Sequence, residues 1–128
     1  MEKIAEVTTK FLIETCQING IPSPIGNQGW YQKGGKKALF DQQPIDAAYM
    51  VCCLEKAYLT TKNNFYLEWA QKWWGWFGGN NINKIPLIDK DGACYDGLTR
   101  EGVNKNQGAE SNICFLLACL VAKRLNLN

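Results

Sequence analysis

Two polar stretches of the chain gather side chains suited to holding a polyhydroxylated ligand. Phe40-Asp41-Gln42-Gln43-Pro44 opens one apolar segment, and Asn104-Lys105-Asn106-Gln107-Gly108-Ala109-Glu110-Ser111 opens another. Amides and carboxylates hold hydroxyls, and aromatic rings cover the apolar face of a sugar. Glycoside chemistry needs a pair of carboxylates, about 5–5.5 Å apart for retention and about 6.5–9.5 Å for inversion. Asp96 and Glu110 are the candidates for that carboxylate work. Asp41, Gln42, Gln43, Asn106 and Gln107 are candidates for binding hydroxyls, and Trp30, Tyr31 and Tyr95 for an aromatic wall or stacking platform.

Each of these residues also has a structural use. Asp96-Gly97 is a strong turn dipeptide. Glu110 falls in the first turn of a helix, where the dipole favours an acid by ~0.3–1 kcal/mol; Asp46 shares that ambiguity. Asp41 can satisfy N–H groups of its own loop, and Asn104 and Asn106 can mimic turns. Gln42 and Gln43, two amides before a proline, have no evident structural need, so they suit a ligand or a loop–loop contact.

Other chemistries lack their residues. The chain has no histidine and no CxxC pair, which removes most zinc sites, Ser-His-Asp triads and Cys-His dyads. Asp89-Lys90-Asp91-Gly92 resembles the start of a calcium loop, but no glutamate stands where an EF-hand needs it. No metal and no cofactor are expected. Cys52, Cys53, Cys114 and Cys119 sit in apolar runs and Cys16 near a helix end, as small buried hydrophobes do. Cys94, in a polar loop, is the one candidate reactive thiol, with packing as its alternative use.

At 128 residues and net charge +2, one domain is expected, with neither nucleic acid nor membrane as partner. The Lys33, Lys36, Lys37 cluster is broken by Gly34-Gly35 and reads as a solvated loop. The N-terminal Met-Glu-Lys-Ile-Ala-Glu-Val is not a signal peptide. The longest apolar run, 113–122, is half of the about 20 residues of a membrane span. A soluble cytoplasmic protein is expected.

Four helices must position the candidate residues. Residues 3–18 place Ile4, Val7, Phe11 and Leu12 on one stripe, and Asn19-Gly20 stops the helix. Residues 44–60 begin with Pro44, suited to a first helical position, and are apolar all round as far as Leu54. Residues 63–78 carry Tyr66, Trp69, Ala70, Trp73 and Phe77 on a core-facing stripe, with Trp74 and Trp76 off it. Residues 109–125 are again apolar all round.

The order amphipathic, all-apolar, amphipathic, all-apolar predicts two outer–inner helical hairpins, an all-α fold. The connectors 19–43 and 79–108 hold 10 of the 12 glycines and yet carry aromatic and aliphatic residues, which argues against disorder. Both lead from an outer helix into an inner one, so both should lie at one end of the stack. A short β-hairpin is expected around Leu87 to Tyr95. Two outer helices cannot cover two inner helices that are apolar all round. Either the chain oligomerises or it is a piece of a larger ring.

Ile25-Gly26-Asn27-Gln28-Gly29-Trp30-Tyr31, the 40–47 segment, Gly92-Ala93-Cys94-Tyr95-Asp96-Gly97-Leu98 and the 102–111 segment together resemble the C-terminal part of bacterial proteins often labelled glycosyltransferases. That region in turn resembles the α/α toroid of six-hairpin glycosidases and sugar epimerases. The resemblance covers about residues 22 to 122. It implies a sugar or oligosaccharide ligand and a partial α/α toroid, with the whole chain a C-terminal fragment of a larger protein. Residues outside the chain would complete the catalytic site. The alternative is a non-catalytic carbohydrate-binding or scaffolding domain attached to a glycosyltransferase. A small homo-oligomer that buries its inner helices is a third.

Overall fold

The computed structural model describes residues 2–128; Met1, the first residue of the N-terminal segment read above for a signal peptide, lies outside them. Four helices dominate: α1 Glu2–Thr15, α2 Pro44–Thr61, α3 Asn64–Phe77 and α4 Ala109–Leu125. Two short ribbons accompany them, β1 Gln17–Ile18 with β2 Ile21–Pro22 and β3 Gly97–Thr99 with β4 Gly102–Asn104, both antiparallel. The chain is therefore mainly α-helical.

Local chemistry sets the helix ends. Pro44 stands in the first turn of α2, and Lys62 ends that helix in the left-handed conformation with its N–H on the Tyr58 carbonyl. Asn63 then caps α3 by accepting from the Phe65 N–H at 3.0 Å. At the far end of α4, Asn126 adopts the left-handed conformation and the Leu127 N–H reaches back to the Ala122 carbonyl at 2.9 Å.

The first helix differs from expectation in length and in facing. It stops at Thr15, because Asn19 and Gly20, with φ of 51° and 80°, turn the chain into the β1–β2 ribbon. Asn-Gly with positive φ at both positions is a hairpin turn as much as a helix stop. The Lys37 ammonium donates to the carbonyls of Thr15, Gln17 and Ser23 at 2.7, 3.1 and 3.3 Å and ties off this helix end. The buried face of α1 is Thr9 and Ile13, with Cys16 buried just past its end, whereas Ile4 and Val7 stand in solvent.

The central element is α2, which packs most extensively on α3 and next on α4. The core-facing stripe of α3 is observed: Tyr66, Ala70, Trp73 and Phe77 are buried, and Trp69 is half-buried. Burying one such large side chain contributes roughly 1.5–3 kcal/mol. Trp76 is buried too, and Trp74 stacks parallel on Phe115 of α4 at 5.9 Å. The Arg124 guanidinium of α4 clasps the buried Glu55 of α2 through two hydrogen bonds of 2.6 and 2.9 Å. The inner helices are not covered all round: α4 exposes Ile113, Leu116, Leu117 and Leu120. The expected hairpin around 87–95 is reduced to one bridge, Ile88 with Cys94, and the true two-stranded ribbon lies at 97–104.

Candidate functional site

The two long connectors meet. Gln42 and Leu98 form an antiparallel bridge, and the Gly97 Cα sits so close that a Cβ there would lie 2.8 Å from the Gln42 carbonyl oxygen. Beside this junction a cleft of about 320 Å³ opens. Asn27, Asp41 and Gln43 line it from the first connector; Asp96, Asn104, Glu110 and Ser111 line it from the second connector and the start of α4. No cationic side chain lines it.

The first wall is a loop folded tightly on itself. The Gly26 N–H donates to the Ala38 carbonyl at 2.7 Å, and a Cβ on Gly26 would lie 2.2 Å from the Phe40 carbonyl oxygen. Only glycine fits there, and the close approach lets Asn27 and Gln28 run beside Phe40 and Asp41. The Asp41 carboxylate accepts from the Gln28 amide at 3.2 Å, and its backbone N–H donates to the Asn27 side chain at 3.3 Å. Gln43 precedes α2 and makes no side-chain cap. Its amide lines the cleft.

The second wall is organised by Asp96. Its carboxylate accepts from the Gly108 backbone N–H at 2.7 Å, from the Ser111 hydroxyl and from the Asn106 side-chain amide. Asp96 thus satisfies one of the unpaired N–H groups at the start of α4, that of the cap residue Gly108, and holds the Ser111 hydroxyl of its first turn. A Cβ at Gly108 would come within 3.1 Å of the same carboxylate. The Ser111 and Asn106 hydrogen bonds hold the Asp96 carboxyl below the usual carboxylate range. An ionised group with both oxygens occupied is a poor proton donor. It is better described as the post that fixes the rim on which Glu110 stands. Among the described residues the Glu110 carboxylate has no hydrogen-bond partner, and it faces the cleft.

The other sequence-derived candidates lie elsewhere. Gln42 is fully buried: its amide donates to the Ser23 hydroxyl at 3.1 Å and the Leu39 carbonyl at 3.0 Å, and its oxygen accepts from the Trp76 indole at 3.0 Å. It answers to the loop–loop use read from the sequence. Gln107 is tied to Asp89 at 2.5 Å, which helps hold the Asp89 carboxyl below its usual range. Asn106 is spent on Asp96. Trp30 is 97% exposed, Tyr31 and Tyr95 are half-buried, and none of the three lines the cleft. Asp46 and Glu101 are exposed and also stand off the cleft.

Asn27, Asn104 and Ser111 also line the cleft, although their sequence surroundings do not single them out for ligand contact. Asn27 follows Gly26 in a glycine-flanked loop, and Ser111 follows the candidate Glu110 directly; these are the only signals that the sequence carries for them. Cys94 is buried, and burial pushes its thiol up to about 12, so it is a packing residue. Among the described residues no cluster of three histidine, cysteine, aspartate or glutamate side chains is placed to hold a metal ion. No described helix is long and apolar enough to cross a membrane.

No family model matches the chain, and no curated protein matches it. The site must therefore be read from its own chemistry. Its lining offers three carboxylates, three amides and a hydroxyl around a small open volume. Such a surface accepts hydrogen bonds from several hydroxyls at once and repels anions.

Proposed function

We propose that the cleft is the sugar-binding rim of a carbohydrate-active, glycoside-processing protein. The observation that carries this reading is the convergence of Asp41, Gln43, Asp96 and Glu110, from two connectors far apart in sequence, on one cleft. Glu110 and Asp41 are the carboxylates available to a ligand; Asp96 holds the rim in place. Gln43, Asn27 and Asn104 supply amides to the hydroxyls.

The arrangement of an inner α2 and α4 with both connectors at one cleft fits two hairpins of an α/α toroid, in which further hairpins would complete the ring. Six free cysteines suit a reducing cytoplasmic setting.

A non-catalytic binding domain is the second reading, and the saturation of Asp96 favours it, because it leaves fewer free carboxylates for acid–base work. Two variants separate the readings. In a catalyst, Glu110→Gln abolishes turnover of a glycoside while sugar binding persists. In a binding module, Glu110→Gln and Asp41→Asn weaken binding and no turnover is measurable in the wild type. Absence of sugar binding at high concentration would reject both.

A further inference from the structure

We propose that Asn19-Gly20 is a self-modification site, at which the folded chain converts Asn19 into an aspartyl or isoaspartyl residue, and that the Gln17 side chain is its brake. The inference concerns the base of the first connector and does not rest on the sugar reading.

The chemistry needs only the chain and water. The Gly20 backbone nitrogen gives up its proton and attacks the Asn19 Cγ. The C–N bond of the side-chain amide breaks, and its nitrogen leaves as ammonia, carrying that proton. A five-membered succinimide remains. Water then adds to either carbonyl of the ring and opens it, to aspartate or to isoaspartate, in which the main chain runs through the former side chain. Glycine favours the attack because no Cβ crowds its nitrogen. Asn19-Gly20 is the one Asn-Gly pair of the sequence, and Asn19 is exposed, so water reaches it.

The fold restrains this pair without shielding it. Asn19 and Gly20 are the two central residues of the β1–β2 hairpin turn, with φ of 51° and 80°. The Gly20 N–H donates to Gln17 Oε1 at 2.8 Å. The proton that must leave is therefore engaged, and the nitrogen is fixed in the turn. Cyclisation has to wait for the turn to open. The ribbon that closes it has only two residue pairs, Gln17 with Pro22 and Ile18 with Ile21, and Pro22 has no N–H to give. A ribbon this short opens locally, without unfolding the helices. The Gln17 hydrogen bond is the contact that opposes the opening most directly.

The product is felt beyond the turn. Isoaspartate adds one carbon to the main chain within a two-residue turn, and the pairing register cannot then be kept. Gln17 and Ser23, on the two arms, both give their carbonyls to the Lys37 ammonium, and the Ser23 hydroxyl accepts from the buried Gln42 amide. Conversion at Asn19 therefore loosens the support of the cleft.

Incubation of the folded 128-residue chain at mildly alkaline pH, followed by mass spectrometry of its tryptic peptide 11–33, tests the proposal. The wild type is expected to exchange the amide of position 19 for a carboxyl group, with isoaspartate in the mixture, while Asn27 in the same peptide stays intact. Gln17→Ala is expected to react roughly fivefold faster, the factor that one net hydrogen bond gives an opening equilibrium. Gln17→Glu keeps an acceptor at this position and should stay near the wild-type rate. The chain unfolded in guanidinium should react fastest. A folded wild type that stays unmodified at position 19 while the unfolded chain reacts would overturn the proposal. So would a Gln17→Ala variant that reacts no faster than wild type, or one whose faster reaction extends equally to Asn27, which marks global unfolding instead of release of the turn.

Discussion

Gln42 and Leu98 exchange backbone hydrogen bonds in both directions, each 2.9 Å long. This one bridge ties a connector that precedes α2 to one that precedes α4, and the cleft opens beside it. Below the bridge the Gln42 side chain continues the link into the core through Ser23 and Trp76. The cleft therefore rests on a buried polar network whose members are all satisfied.

Gln42→Ala should be costly for that reason. It leaves the Trp76 indole N–H and the Ser23 hydroxyl buried without this partner, at about 1–3 kcal/mol for each such group. A loss of about 2–4 kcal/mol in urea unfolding is expected. In a Trp76→Phe background the same substitution should cost less, since the indole N–H is already gone. Equal costs in the two backgrounds would mean that the network is not coupled as described.

Asp96→Ala should destabilise by about 1–3 kcal/mol, because the Gly108 N–H and the Ser111 hydroxyl lose their acceptor. The effect should depend on pH. The Asp96 carboxyl titrates below its unfolded value of about 3.9. Its contribution is therefore fully present above that value and is lost as pH falls through the lower, folded one. The stability gap between wild type and variant is expected to be constant near neutrality and to narrow below about pH 4. A gap that widens on acidification would contradict the hydrogen-bonding pattern.

Arg124→Met should lower the urea midpoint at pH 7 far more than Lys10→Met. The first leaves the Glu55 carboxylate, 1% exposed, with only the Lys56 ammonium at 3.4 Å. The second removes an exposed pair one helical turn apart, of the kind that contributes little. Chemical denaturation of both variants side by side is sufficient.

What could be read from the chain before folding was what periodicity and caps encode. Pro44, Asn63 and the apolar runs placed three helices to within a few residues. The facing of α1 was not legible, because Ile4 and Val7 make the stronger stripe and yet lie outside, while Thr9 and Ile13 face in. A hydrophobic stripe reveals an inward face only when the core extends to it. In the connectors the limit was different. That Gln42 would be buried and Gln43 left on the rim follows from pairing with Leu98, more than fifty positions away. Asp96 could be picked out as a polar group of consequence, but its hold on the start of α4 depends on where Gly108, Ser111 and Asn106 fold.

The most direct test of the central claim is an amide-shift titration of the labelled chain with neutral mono- and disaccharides. The account predicts saturable shifts concentrated at Asn27, Asp41, Gln43, Asn104 and Glu110, weakened by Asp41→Asn and by Glu110→Gln. Shifts absent at the highest sugar concentration, or saturating on residues away from this cleft, would contradict it.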